Sequence, residues 1–289
     1  MDSFLLRQAD RGLALVSGRE SQAFLQGLVT ADVAALDNET LLYSCLLTPQ
    51  GKFLDDFFLF RLARGFALDA PKSRLPAIAQ RFSMYKLKAD VQLTLVKPQP
   101  ALWVSSDKLK SGAASPALNA RMFRDPRHYN LGFRNYCFQS VDLEEQGTAE
   151  DYQALRVRLG VPDAEQDLKR ESSTLFDNGF DRIGAIAWEK GCYMGQEITA
   201  RMKYRGLKKW DLLPLKLPNE PAESSTFVGN SLSQGDKTVG QITSVGGQFA
   251  LARVRLDALE GATSGNLPPI TLASHPVDWV ALDYMRKSE

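Results

Sequence analysis

The chain has 289 residues, 44% of them apolar and 24% charged, with a formal net charge of +1. This is the composition of an ordinary soluble globular protein and excludes the disordered and fibrous classes. The near-neutral balance gives no whole-protein reason to bind nucleic acid, and the length predicts two domains or one extended layered unit.

In chain order, Gly12 to Val16 reads as a short strand. Ser17 and Glu20 fit a capping box opening an amphipathic helix from Glu20 to Leu28, where Phe24, Leu25 and Leu28 recur at helical spacing. Leu41 to Leu47 and Phe53 to Leu62 are apolar runs separated by Pro49-Gln50-Gly51, a hairpin with Lys52 at its corner. Arg74 to Tyr85 predicts a second helix, and strands follow at Val91 to Val96, Leu102 to Val104 and Leu131 to Phe138. A helix from Ala149 to Leu159 stops at Gly160, with Pro162 beyond it. A further helix is expected from Gly195 to Lys203. After Trp210 the prolines at 214, 218 and 221 mark a linker, then Phe227 to Val228, Val239 to Val245, Phe249 to Leu256 and Trp279 to Leu282 are short strands of a small β-barrel. The whole is α+β without the strict alternation of a doubly wound sheet. It divides into domains 1–210 and 211–289.

No apolar run reaches the roughly eighteen residues of a membrane span, so no membrane partner is expected. The N-terminal Met1-Asp2-Ser3-Phe4-Leu5-Leu6-Arg7 has neither the basic region of a secretory signal nor the arginines of a transit peptide, and the expected address is cytoplasmic. Three widely spaced cysteines, Cys45, Cys137 and Cys192, predict reduced thiols rather than a disulfide framework. Two histidines, His128 and His275, are too few for a histidine-rich metal centre, and no metal site is assigned.

The P-loop, Rossmann, H-E-x-x-H and G-x-S-x-G patterns are all absent. The segment Lys190-Gly191-Cys192-Tyr193-Met194-Gly195-Gln196-Glu197 stands out instead. Its glycines point to a sharp turn or a close backbone approach, and a following helix would place Cys192 just before a positive helix end, beside Lys190, where a thiolate is favoured. The plainer alternatives are a small buried cysteine, Tyr193 and Met194 in the core, and Glu197 as a first-turn acid. Arg201, Lys203, Arg205, Lys208 and Lys209 follow without an acid between them, and Arg121, Arg124, Arg127 and Arg134 form a second basic stretch. These are solvated faces or binding surfaces for an anion.

Lys-Gly-Cys-Tyr-x-Gly-Gln-Glu, followed by Ala200-Arg201 and Tyr204-Arg205-Gly206, resembles the signature of the YgfZ family of folate-binding proteins. Phe24 to Thr30 with Asp32, Leu47 to Lys52, and Gly240 to Ser244 look like further landmarks of that family. The resemblance implies the fold of the glycine-cleavage aminomethyltransferase, with α+β subdomains around a central hole and a C-terminal β-barrel. It also implies tetrahydrofolate or a derivative as cofactor, and a part in assembly or repair of iron–sulfur clusters that indirectly supports tRNA modification. Its partners would be iron–sulfur enzymes or cluster assembly proteins, met transiently. Cys192 is then the key thiol, with Lys190, Tyr193, Gln196, Glu197, Arg201, Lys203 and Arg205 as the cofactor-binding set.

Two alternatives stand beside that reading. The first is an active one-carbon transferase, because Asp55 and Asp56 lie where the related enzyme carries its aspartates. An acidic pair at a strand edge can equally be solvated. Leu155-Arg156-Val157-Arg158-Leu159-Gly160 puts Arg158 where the transferase has a glutamate that contacts folate, which counts against catalysis. The second is a non-catalytic docking module for RNA or client proteins, using the basic stretch with Tyr204 and Trp210.

Overall fold

The computed structural model describes residues 3–107, 120–139, 143–217 and 224–282. The chain divides into two compact units: Met1–Thr148 with Gly184–Gln196, and Ala149–Ile183 with Glu197–Glu289.

The first unit comprises β1 (Leu5–Arg7), β2 (Arg11–Ser17), α1 (Ser21–Leu28), β3 (Leu42–Leu47), β4 (Phe53–Leu62) and β5 (Gly65–Pro71). It continues with α2 (Leu75–Lys86), β6 (Gln92–Leu95), β7 (Ala101–Ser105), β8 (Ala120–Arg124) and β9 (Phe133–Cys137). A five-stranded sheet runs β3-β4-β5-β2-β6 and a four-stranded sheet runs β1-β7-β9-β8, with antiparallel pairs in both. Side chains on a strand alternate between faces. In β4, Phe57 and Leu59 join Leu25, Leu28, Ile78 and Phe82 in one core cluster. Phe60 lies on the opposite face and meets Phe123 and Tyr136 at 5.1 and 4.5 Å between ring centroids. Both faces of β4 are covered, and for that reason its sequence is a near-continuous apolar run. Burial of each such phenylalanine is worth roughly 1.5–3 kcal/mol.

Charges are built into the second face. Asp69 accepts from Arg11 Nε at 2.7 Å, Arg134 Nη2 at 3.0 Å and Tyr136 OH at 2.9 Å, and the Arg134 guanidinium lies 3.9 Å from the Phe58 ring centroid. Asp125 takes Arg127 Nη2 at 2.8 Å. The basic stretch from Arg121 to Arg134 is therefore in part a buried ionic network: Arg134 is only 2% exposed.

The second unit holds α3 (Ala149–Arg158), α4 (Ala164–Asp167) and α5 (Gln196–Tyr204), the first residue of α5 closing the other unit. Then come β10 (Trp210–Lys216), β11 (Ser231–Gln234), β12 (Lys237–Gly246), β13 (Phe249–Arg255), α6 (Leu256–Thr263), β14 (Thr271–Leu272), β15 (His275–Pro276) and β16 (Asp278–Trp279). The strands form one sheet in the order β15-β14-β11-β12-β13-β10-β16, a nearly closed barrel. Gly246 lets α3 lie against it: a Cβ there would stand 2.7 Å from Ala154 Cα. Arg156 of α3 is buried, donating to Val161 O at 2.6 Å and Asp167 Oδ2 at 3.2 Å. Gly160, at φ +69°, ends that helix as expected.

Several expectations are corrected. The capping box does not form: Ser17 ends β2, and Glu20 caps α1 with no side-chain bond to it, accepting from Asp90 N at 2.6 Å instead. The pairing of β4 with β5 begins only at Phe58, so Asp55 and Asp56 are paired with β3 alone, but they are not solvated: Asp55 is buried and Asp56 half-buried. Pro214 sits inside β10 rather than in a linker. Its missing N–H costs no ladder bond to β16, because that pairing covers only Leu215 and Lys216. Pro218 and Pro221 lie outside the described residues. Phe227 ends a 3-10 turn, Ser224–Phe227, and the strand at the end of the barrel is confined to Asp278–Trp279.

Candidate functional site

The signature segment is held by the two other landmark segments of the first unit. Thr30 Oγ1 donates to Ala185 O at 2.6 Å and accepts from Cys45 N at 2.9 Å, while Ala187 N donates to Thr30 O at 3.0 Å. Met194 N donates to Gly27 O at 3.1 Å. Lys190 reaches inward, its Nζ donating to Val29 O at 2.8 Å and Ala31 O at 2.7 Å. The Leu47–Lys52 turn closes the other side. Gly195 has φ +79°, and a Cβ on it would stand 2.6 Å from Thr48 O and 3.0 Å from Gly51 Cα. Only glycine satisfies both the backbone and the space.

Gly191, by contrast, faces open space and has no left-handed φ, so one of the two glycines is demanded by the fold and the other is not. Between them Cys192 is exposed and unpaired with any other cysteine, whereas Cys45 and Cys137 are buried. Burial pushes both of those thiols up and makes them inert at neutral pH. Lys190 is 7% exposed, and burial lowers its ammonium to about 8, opposed by the carboxylate of Asp32. Its Nζ lies 5.1 Å from the Tyr193 ring centroid. The positive charge expected beside the thiol is thus directed at two backbone carbonyls and an aromatic face, which with the Asp32 carboxylate offset its desolvation.

Tyr193 is buried, and Gln196 folds back so that its Oε1 accepts from Tyr193 N at 3.3 Å. Lys190, Tyr193 and Gln196 brace the loop that presents Cys192. Glu197, Arg201 and Arg205 are exposed on α5 and its end. Glu197 pairs with Arg201 at 2.7 Å, one helical turn away, and Lys203 Nζ lies 5.5 Å from the Tyr204 ring centroid. Asp55 and Asp56 occupy opposite faces of β4. Asp55 is 2% exposed and accepts from Arg74 Nε at 2.6 Å, while Asp56 accepts from Tyr43 OH at 2.9 Å. Arg158 is exposed. The sequence marked Thr30 only as part of a landmark segment and Arg74 only as a helix start, and assigned neither a role, since their partners lie 15 to 155 residues away. Among the described residues, no group of three or more His, Cys, Asp or Glu side chains could hold a metal ion, and no helix is long and apolar enough to cross a membrane.

Comparison with known proteins adds three findings. The family described as CAF17, C-terminal beta-barrel domain, matches residues 212–287, the barrel of the second unit. The mitochondrial iron–sulfur cluster assembly factor IBA57 homolog of Pyricularia oryzae is 29% identical, covering 91% of this chain and 75% of that protein. The human IBA57 factor is 28% identical over 93% of this chain and 83% of its own length, and the Mycosarcoma maydis homolog is 30% identical with 56% of its length covered. In structure, the glycine cleavage system aminomethyltransferase T of Bartonella henselae aligns with 98% of this chain and 86% of its own at a TM-score of 0.75 and 16% identity. The fold is therefore aminomethyltransferase-like, with a C-terminal β-barrel, as expected. The expected cytoplasmic address is overturned: these IBA57 relatives are all named mitochondrial. An N-terminal composition read alone is a weak guide to address, because targeting is recognised by receptors rather than by the fold.

Proposed function

We propose that this chain is a folate-binding accessory factor of the YgfZ type that serves assembly, maintenance or repair of iron–sulfur enzymes, with Cys192 as its working thiol. The observation that carries the reading is an exposed cysteine on a loop whose neighbours are fastened by Lys190, Gln196 and Gly195. A thiol so held is positioned without being buried, as a residue that meets another macromolecule must be. The IBA57 relatives, named as iron–sulfur cluster assembly factors, supply the partner class: cluster assembly proteins or the enzymes they serve. Support for tRNA modification would follow indirectly, through cluster-dependent enzymes.

For tetrahydrofolate or a derivative, the donor set of α5 fits. Arg201, Lys203 and Arg205 suit the anionic glutamate tail, and the carboxylate of Glu197 suits the paired N–H donors of a pterin edge. Lys190, Tyr193 and Gln196, expected in the cofactor-binding set, act as braces of the loop that presents Cys192. Folate, when bound, would supply a one-carbon carrier. The transferase reading is second, because Asp55 is buried against Arg74 and Asp56 is bonded to Tyr43.

Calorimetric titration with tetrahydrofolate and 5-formyltetrahydrofolate tests the cofactor, on wild type and Cys192→Ala side by side. Saturable binding in both is expected. No heat of binding in wild type would remove folate from the reading. In cells lacking the protein, Cys192→Ser should leave cluster-dependent enzymes impaired, and full recovery of their activity would remove the thiol.

A further inference from the structure

The barrel of the second unit carries a surface that the folate and Cys192 readings do not use, although its Lys209 and Trp210 belong to the basic stretch of the docking-module alternative. Two adjoining clefts, of about 520 and 470 Å³, share both members of the Arg255–Asp257 ion pair. Beyond that pair, the first is lined by Lys208, Lys209, Trp210, Leu256 and Glu260. The second is lined on its far side by Lys237, Val239 and Leu267, with Leu267 45% exposed. Together they make one groove across the start of α6, whose N-cap, Arg255, supplies no side-chain cap.

The charges along this groove are unequal. Lys208 is held by Asp211 at 3.2 Å and Arg255 by Asp257, whereas Lys209 and Lys237, one in each cleft, are exposed and make no ion pair among the described residues. Trp210 is fixed from one side by the Arg253 guanidinium, 4.3 Å from its ring centroid. Each cleft thus offers one uncommitted cation beside apolar surface.

We propose that the groove binds an extended acidic segment of a partner protein, with carboxylates at Lys209 and Lys237 and apolar side chains against Trp210, Leu256 and Leu267. Its two linked clefts suit a polypeptide better than a single small molecule. Asp257 and Glu260 in the wall disfavour a nucleic acid, which brings a phosphate with every nucleotide, and among the described residues of the wall Trp210 alone offers an aromatic face for stacking. The proposal is independent of folate and of Cys192.

The test pans the full chain against displayed random twelve-residue peptides, then measures the selected peptides, fluorescein-labelled, by anisotropy. Selected sequences should be rich in Asp and Glu interspersed with apolar residues. Binding should weaken about tenfold in the double variant Lys209→Glu/Lys237→Glu and also with added salt. Both lysines are exposed, so the thermal midpoint of the variant should match wild type. The proposal fails if no peptide is selected, if those selected lack acidic residues, or if they bind the variant unchanged. It also fails if a single-stranded twelve-nucleotide RNA binds more tightly than any peptide.

Discussion

Replacing Lys190 by methionine isolates the brace beneath the signature loop. In wild type the ammonium makes two bonds to backbone carbonyls, at 2.8 and 2.7 Å. Bonds from a charged donor contribute about 1.5–3 kcal/mol each. Against them stands the burial cost that lowers the group from 10.5 to about 8, worth about 3 kcal/mol at about 1.4 kcal/mol per unit. Methionine removes both and leaves Val29 O and Ala31 O unsatisfied, so at pH 7 the variant should be less stable by about 1–3 kcal/mol. The pH dependence is the sharper readout. A lysine lowered on folding binds fewer protons in the native state between its folded and unfolded values, so stability rises with pH across that window. The neutral amine keeps two N–H donors for its two carbonyls, and no bond is lost on deprotonation. Wild type should therefore gain up to about 3 kcal/mol on Lys190→Met between pH 8 and 10.5, over and above what both share. Urea unfolding of both proteins at pH 7 and pH 10 measures this. A difference that stays constant with pH, or a variant as stable as wild type at pH 7, would refute the assignment.

Gly195→Ala should lose at least about 2 kcal/mol, from the left-handed backbone and the overlap with Thr48 O, while Gly191→Ala should stay within about 0.5 kcal/mol of wild type; thermal unfolding compares them. Burial raises Asp69, but Arg11 and Arg134 outweigh it and hold its carboxyl below the usual range. Its stabilisation is therefore present above the unfolded value and lost as pH falls through the folded one. Asp69→Asn should cost about 3–5 kcal/mol at pH 7 and flatten the decline in acid, read by urea titrations at pH 7 and pH 3. Glu197→Gln should weaken tetrahydrofolate binding about tenfold by calorimetry with little change in thermal midpoint, since the residue is exposed; unchanged affinity would strike it from the site.

Where a segment's own period decided its form, the sequence was sufficient. The hairpin of β3 and β4, the helix ended by Gly160, and the helix after Gly195 follow from local spacing and turn residues. So did the resemblance carried by residues 190–206, with the fold it implied. Tertiary structure alone decided which polar groups turn inward. Lys190 was read as a charge beside a thiol, yet its partners at Val29 and Ala31 lie 161 and 159 residues away. Asp55, for which a solvated strand edge was one reading, is buried against Arg74. Arg134, one of a basic run, faces Asp69 and Phe58. A buried charge is stable only where distant chain supplies its counter-charge, carbonyl or ring, and that placement is a property of packing rather than of spacing.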